Sequence, residues 1–187
     1  MTVGLYAGSF DPMHRGHLEL VEAAARYLDR LFVVAAGNPA KPGSLLSLEQ
    51  RRELIAAATA HLPNVEGLAH AGLVVALARE LGADVLVRGM GKEQRVELQM
   101  ATINVNLAGP PTLFFAPTDA TAPISSRMVR QKIRLEGVDA NADLVPAGTV
   151  DVLRTTLAYE ASGSRRGGAE GVVRDVLSAS SAEVNTA

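Results

Sequence analysis

Short apolar runs alternate along the chain with longer segments in which apolar residues recur at helical spacing. The first run, Thr2–Ala7, ends at Gly8, and the segment Gly16–Leu31 then has the helical period. The pattern predicts further strands at Leu31–Ala36, Val65–Leu68, Asp84–Val87 and Thr112–Ala116. It predicts further helices from Ser47 to about Ala60, at Leu73–Leu81 and Glu93–Leu107, from Ser125 or Ser126 to about Leu135, and at Thr149–Tyr159.

Several helix ends are marked by specific residues. Ser47 followed by Gln50 is typical of a capping box, in which the two side chains bind free backbone N–H groups at the start of a helix. Gly82 follows the third predicted helix, and Gly109 with two prolines after it stops the fourth.

Alternating strands and helices are typical of the α/β class. We predict a Rossmann-like, doubly wound, five-stranded parallel sheet with helices on both faces. In such sheets ligands bind outside the carboxyl ends of the strands. Gly8–His17 follows the first predicted strand, Asn38–Lys41 the second, Arg88 the fourth and Thr121–Ser126 the fifth. These four loops are therefore expected to converge at one edge of the sheet.

The chain is predicted to contain one folded domain, residues 1–160. Its 187 residues are enough for a single α/β core, and we find no internal repeat. From Ala161 the composition shifts to Ser, Gly, Ala and Arg, so we expect residues 161–187 to form a disordered C-terminal tail.

The composition argues against several functional classes. A net charge of −2 and an aromatic content of 4%, with no Trp, do not favour nucleic-acid binding. Without cysteine the chain has no disulfide, thiolate metal site or cysteine nucleophile. No apolar run approaches the roughly 20 residues of a membrane span, and the N-terminus lacks the pattern of a signal peptide. We expect a cytoplasmic protein without membrane or nucleic-acid partners.

The run Gly8–His17 is the strongest chemical signal. Its last two residues begin a predicted helix, whose free N–H groups and partial positive charge favour a phosphate. His14 and His17 are three residues apart, so both rings can reach that helix start and donate to phosphate oxygens. A plain turn with surface histidines is the alternative. A zinc site is not favoured, because the other two histidines lie in segments without ligand spacing.

This run, Gly-Ser-Phe-Asp-Pro-x-x-x-Gly-His, resembles the signature of the HIGH-type nucleotidyltransferases. Ile-Ser-Ser-x-x-Val-Arg, which begins at Ile124, resembles their second motif. Within this group the chain resembles bacterial phosphopantetheine adenylyltransferase from Thr2 to about Tyr159. Four shorter motifs support the resemblance, namely Asn38-Pro-x-Lys41, Ser47-Leu-Glu-x-Arg51, Val87-Arg88-Gly89 and Met100-Ala-x-x-Asn104.

The resemblance implies transfer of the adenylyl group of ATP to 4′-phosphopantetheine, giving dephospho-coenzyme A and pyrophosphate. The attacking phosphate oxygen is already ionised, so positioning and charge stabilisation replace a general base. Mg²⁺ is implied to bridge the ATP phosphates, and we name no protein ligand for it. The family also implies a homo-oligomer, commonly a hexamer.

The resemblance assigns roles by position. His17 would stabilise the pentacoordinate α-phosphate, and Lys41 and Arg88 would hold the acceptor phosphate, which makes these three the expected catalytic residues. The expected ATP-binding residues are Gly8, Ser9, Phe10, His14, His17, Gly89, Met90, Gly91, Glu97, Thr121, Ala122, Pro123, Ile124, Ser125, Ser126 and Arg127. The expected acceptor-binding residues are Ser9, Lys41, Leu73, Val74, Arg88 and Asn104.

Alternative interpretations remain for some of these residues. A lysine such as Lys41 in a loop of Pro and Gly is often only solvated. Glu97 sits on a predicted helix and is equally suited to pairing with Arg95 or Lys92. Leu73 and Val74 are also suited to a hydrophobic core.

The segment after Arg88 departs from the family, which usually has a second arginine where this chain has Gly91. Lys92 is adjacent but lacks the planar fork of arginine. The departure leaves two alternatives to phosphopantetheine adenylyl transfer. One is a nucleotidyltransferase for another phosphorylated acceptor such as nicotinate mononucleotide, which the His-x-Gly-His spacing favours. The other is a nucleotide-binding protein without turnover.

Overall fold

The computed structural model describes residues 1–37, 44–90 and 94–158. The strands are β1 (Val3–Gly8), β2 (Arg30–Ala36), β3 (Val65–His70), β4 (Val85–Gly89) and β5 (Thr112–Phe115). The helices are α1 (Arg15–Ala25), α2 (Leu48–Thr59), α3 (Val74–Glu80), α4 (Gln94–Asn106) and α5 (Ser126–Glu136). Two 3₁₀ turns follow at Asp139–Leu144 and Ala147–Thr149, and residues 150–158 form a last helix, α6.

The strands form one parallel sheet in the order β3-β2-β1-β4-β5, so the predicted fold is confirmed. Successive strand side chains point to opposite faces, and each face is buried by different helices. On one face Tyr6 and Val33 share a core cluster with Val21 of α1 and Ile55 of α2. On the other face the cluster consists of residues from β1, β2, β4 and α3, namely Val3, Leu5, Phe32, Val34, Leu77, Ala78 and Leu86. The sheet is therefore doubly wound.

The strand order reverses at β1, whose neighbours are β2 and β4. A ligand crevice is expected at such a reversal, outside the carboxyl ends of the strands. The sheet and its helices α1–α5 belong to one compact unit, Met1–Val152. None of the helices in the described part of the chain has the length and apolar character that a membrane crossing requires.

Several element boundaries differ from those predicted. Helix α1 ends at Ala25 rather than near Leu31, and the side-chain amide of Asn64 donates to the carbonyls of Ala25 and Leu28 that the ended helix leaves free. Strand β4 continues through Arg88 and Gly89 instead of stopping at Val87. The two 3₁₀ turns were not predicted.

The predicted helix starts can also be compared with the structure. Ser47 and Gln50 form the capping box, with Ser47 N donating to the Gln50 amide oxygen at 2.7 Å and Gln50 N donating to the Ser47 hydroxyl. Of the two candidate caps of α5, Ser125 is the one used, since its hydroxyl accepts from Met128 N.

Candidate active site

A cavity of about 1020 Å³ opens at the carboxyl ends of β1 and β4. Its walls are the β1–α1 turn, the first turns of α1, the end of β4 and the loop of residues 116–125, which we call the β5–α5 loop. The cavity lies where the strand order reverses, as expected for a doubly wound sheet.

The β1–α1 turn is held in place by a buried carboxylate. Asp11 is 6% exposed and accepts hydrogen bonds from Leu45 N at 3.0 Å and Leu46 N at 2.9 Å. Its carboxylate is 3.6 Å from the guanidinium groups of Arg51 and Arg130. Asp11 thus joins the turn to the start of α2 and to α5.

The same turn receives further bonds from both arginines and from α5. Arg51 donates to the carbonyls of Leu46 and Ser9, and Arg130 donates to the carbonyl of Asp11 at 2.5 Å. The hydroxyl of Ser126 donates to the carbonyl of Pro12 at 2.9 Å. Because buried polar groups are costly unless paired, this network fixes the backbone path of the turn.

Helix α1 begins directly after this turn, and its first residues line the cavity. A Cβ atom on Gly16 would lie 3.2 Å from the His14 ring and 3.4 Å from the carbonyl oxygen of Thr121. Glycine therefore lets the β5–α5 loop approach the helix start closely. The free N–H groups and the dipole at this helix start favour an anion in the cavity.

His14 and His17 stack at the start of α1, with ring centroids 3.6 Å apart. Burial lowers the pKa of His14 to about 4. Desolvation, with a smaller contribution from His14, lowers the pKa of His17 well below its usual value. Both rings are therefore neutral at pH 7. The Nδ1 atom of His17 accepts from the His14 N–H at 3.2 Å, which leaves Nε2 to carry the proton and to act as donor.

Arg88 and Glu97 also line the cavity and form an ion pair, with 2.6 Å between Nη1 and Oε2. Their side chains are 21% and 27% exposed. Tyr6 shares this environment, because burial and then the Glu97 carboxylate raise the pKa of its phenol while Arg88 lowers it. The partner that the structure shows for Glu97 is thus Arg88 rather than Arg95, while Lys92, the other partner that the sequence allowed, lies outside the described residues.

The β5–α5 loop is attached to α1 through Glu19. The Glu19 carboxylate accepts from Thr118 N at 3.0 Å, from the Thr118 hydroxyl at 3.2 Å and from the Thr121 hydroxyl. Burial acts to raise the pKa of Glu19, but these hydrogen bonds and the nearby Arg15 outweigh it, so the pKa is lowered. Glu19 therefore stays ionised at neutral pH.

The structure brings most of the expected site residues together. Those lining the cavity are Gly8, Ser9, His14, His17, Val74, Arg88, Gly89, Glu97, Thr121, Ala122, Pro123, Ile124 and Ser125. Expected residues that do not line it are Phe10, Leu73, Met90, Asn104, Ser126 and Arg127. Lys41 and Gly91, which were also expected in the site, lie outside the described residues, as does Lys92.

The residues away from the cavity have other surroundings. The Phe10 side chain is fully buried, with its ring 4.9 Å from that of His17 in an edge-on contact, so it supports the histidine from the core. Leu73 is 60% exposed at the start of α3, whereas Asn104 is buried on α4. Arg127 lies on a separate small groove along α5. These residues do not line the cavity, and the binding roles expected of them remain predictions.

Sequence reasoning missed Glu19, Arg51 and Arg130 as parts of the site. Arg51 and Arg130 stood within recognised motifs but had no assigned role. Glu19 follows His17 by two residues, and its partners lie 99 and 102 positions further along the chain. A contact between residues so far apart along the chain leaves no pattern in the local sequence.

The carboxylates of the cavity are the side chains that could bind the Mg²⁺ that the resemblance implies. Three carboxylates line the cavity, and each is engaged by donors: Asp11 by backbone N–H groups, Glu19 by threonines and Glu97 by Arg88. Within the described ranges, no group of three or more His, Asp or Glu side chains is arranged to hold a metal ion. Because each of these carboxylates is already engaged, none of them is assigned to the metal ion.

Comparisons with solved structures agree with the fold. The Thermotoga maritima protein TmcAL, solved with alpha-thio ATP, has a TM-score of 0.64 at 13% identity, over 85% of this chain and 56% of that one. The lipopolysaccharide core biosynthesis protein of Thermoplasma volcanium has a TM-score of 0.50 at 21% identity, over 64% of this chain and 99% of that one. At these identities the likeness concerns the fold alone.

Sequence relatives are more specific. The chain is 43% identical over 156 residues to the phosphopantetheine adenylyltransferase of Synechococcus sp. strain JA-2-3B'a(2-13), covering 81% of this chain and 96% of the relative. It is 38% identical over 136 residues to that of Actinobacillus pleuropneumoniae serotype 3 strain JL03, covering 71% and 85%. The cytidylyltransferase-like family matches residues 5–132, which include the turn, both histidines and the start of α5. The chain therefore belongs to the cytidylyltransferase-like family and, within it, to the phosphopantetheine adenylyltransferases.

Proposed function

We propose that the chain transfers the adenylyl group of ATP to 4′-phosphopantetheine, which yields dephospho-coenzyme A and pyrophosphate. The observation that carries this proposal is the position of His17. Its neutral imidazole, with the proton on Nε2, stands at the start of α1 in the same cavity as Arg88. A fixed donor and a cation at a phosphate-binding helix start are what phosphoryl transfer requires.

The reaction needs no covalent enzyme intermediate. An ionised phosphate oxygen of the acceptor attacks the α-phosphorus of ATP, and a new phosphorus–oxygen bond forms. The bond from the α-phosphorus to the oxygen that bridges to the β-phosphorus breaks, and pyrophosphate leaves with the electron pair. His17 donates to the α-phosphate oxygens as negative charge builds on them, without giving up its proton.

The remaining expected residues hold the two anions in line. Arg88 and Lys41 bind the acceptor phosphate, while the N–H groups and hydroxyls at the starts of α1 and α5 bind the triphosphate. Mg²⁺, which the resemblance implies on the ATP phosphates, would supply positive charge there. Asp11, Arg51 and Arg130 keep the β1–α1 turn in position at the wall of the cavity.

The test is pyrophosphate release from ATP or CTP with a panel of phosphorylated acceptors. We expect release with ATP and 4′-phosphopantetheine and none with pantetheine, which lacks the attacking phosphate. Release with nicotinate mononucleotide instead would assign another acceptor. Nucleotide binding by calorimetry together with no release for any acceptor would identify a binding protein without turnover.

A homo-oligomer and a cytoplasmic location are also part of the proposal. The support for self-association is that four large apolar side chains of α4, Val96, Leu98, Ile103 and Val105, are between 46% and 56% exposed. Leu98 and Val105 are seven residues apart and lie on the same side of the helix, and exposed apolar surface is typical of interfaces. Replacing both Leu98 and Val105 with Glu should lower the mass measured by light scattering. Leu135→Glu, at a position of α5 that is 75% exposed, is the control and should leave the mass unchanged.

A further inference from the structure

The β5–α5 loop leads from the edge strand β5 to the start of α5 and forms one wall of the cavity. At its first end, Met90 N donates to the carbonyl of Phe115 at 2.8 Å, and at its last end Ser126 bonds to Pro12. Between these anchors the loop folds on itself, with Ala122 N donating to Thr118 O and Ile124 N donating to Thr121 O, both at 2.9 Å. Internal bonds of this kind shape a loop but do not fix its distance from a helix.

Glu19 holds the β5–α5 loop at a fixed distance from α1. It lies on the second turn of α1, two residues after His17, and its carboxylate accepts three hydrogen bonds from Thr118 and Thr121. Thr121 is only 9% exposed, so its hydrogen bond to Glu19 is partly buried, whereas Thr118 lies at the surface. Hydrogen bonds to an ionised acceptor are stronger than neutral ones.

We propose that Glu19 is a positioning residue, which holds the β5–α5 loop against α1 and so sets the width of the phosphate-binding end of the cavity. The part that concerns ATP rests on the proposed function, whereas the loop attachment does not. Thr121 also lies close to the start of α1, because its carbonyl oxygen is the atom that approaches Gly16. The same residue therefore contacts Glu19 through its hydroxyl and the phosphate end of α1 through its backbone.

The charge of Glu19 allows an experiment to distinguish holding the loop in position from merely repelling the phosphates of ATP. A carboxylate on the cavity wall repels a polyanion, so removing its charge without other effects would strengthen ATP binding. Removing a loop attachment would weaken binding, because ATP would then have to order the loop itself. The two accounts predict changes of opposite sign for the same substitution.

The test uses Glu19→Gln, which keeps the size of the side chain, and Thr121→Val, which removes only the hydroxyl. We expect the KM for ATP to rise about fivefold in either variant with kcat changed less than about twofold, because the loss falls on binding rather than on the transition state. The double variant should be no worse than Glu19→Gln alone, since the Thr121 hydroxyl acts through the Glu19 carboxylate. Glu22→Gln, one turn further along α1 in an exposed pair with His61, is the charge-matched control and should match the parent protein.

A second readout does not depend on activity. Amide hydrogen exchange at residues 118–124 should become faster in Glu19→Gln, while exchange in α2 should stay unchanged. A lower KM for ATP or unchanged loop exchange in Glu19→Gln would overturn the inference. If the parent protein releases no pyrophosphate with any acceptor, the proposed function fails, and the exchange experiment still decides the role of Glu19.

Discussion

Asp11→Asn offers a quantitative test of how the signature turn is built. The substitution keeps the shape of the side chain but removes its charge, and it turns an amide NH₂ toward the N–H groups of Leu45 or Leu46. Both Asp11 and its partner Arg51 are nearly inaccessible, with side chains 8% and 6% exposed. The buried guanidinium would therefore lose its counter-charge, although it would keep its bonds to two carbonyl oxygens.

Breaking a buried ion pair from one side costs about 3 to 5 kcal/mol, and the retained carbonyl bonds place Asp11→Asn near the lower value. The matched control is Glu66→Gln. Glu66 pairs with Arg30 at the surface, where both side chains are 48% exposed, and such pairs contribute less than about 1 kcal/mol. We therefore expect Asp11→Asn to lower the free energy of unfolding by roughly 2 kcal/mol or more beyond the effect of Glu66→Gln, mainly because the pair of Asp11 is buried.

The assay is equilibrium unfolding in urea, followed by far-ultraviolet circular dichroism and extrapolated linearly to water. A domain of this size has a free energy of unfolding of about 5 to 15 kcal/mol, so the variant should still fold. If Asp11→Asn lowered the free energy of unfolding no more than Glu66→Gln does, the interpretation of Asp11 as the structural centre of the turn would be wrong.

Two further predictions concern titration and the phosphate site. The imidazole of His14 has a pKa near 6.5 in the unfolded chain and about 4 in the folded protein, so the unfolded chain binds more protons between these pH values. The free energy of unfolding should therefore fall by about 3 kcal/mol between pH 7 and pH 4 on account of this residue alone. His14→Gln should show a smaller fall in urea unfolding at the two pH values, and equal falls would refute the account. Glu97→Gln should free Arg88 and lower the Kd for inorganic phosphate about fivefold in an NMR titration. An unchanged or higher Kd would mean that the pair does not compete with phosphate.

The fold was predictable because its signals are local. Apolar runs and helical periods gave the order of β1 to β5, and parallel pairing followed from the helices between strands. The boundary of α1 was harder, because its end is stabilised by Asn64, a residue almost 40 positions further along the chain. A side chain that caps a distant helix leaves no periodic signal.

The site was predictable where single motifs carry it. His14, His17 and Ser125 lie where their motifs predicted, at the starts of α1 and α5. The pairings between motifs were not predictable in the same way. Arg88 and Glu97 meet because β4 and α4 bring them together, and the sequence equally allowed Arg95 as the partner.

Pyrophosphate release by the parent protein and by His17→Ala decides whether His17 stabilises the transition state of adenylyl transfer. With ATP and 4′-phosphopantetheine, we expect release by the parent protein and a fall in kcat of roughly 100-fold or more in the variant. Calorimetry should give the two proteins Kd values for ATP that agree within about threefold, because the donor acts mainly on charge that develops during the reaction. Turnover by His17→Ala within a few fold of the parent protein, or no release by the parent protein with this acceptor, would contradict the claim.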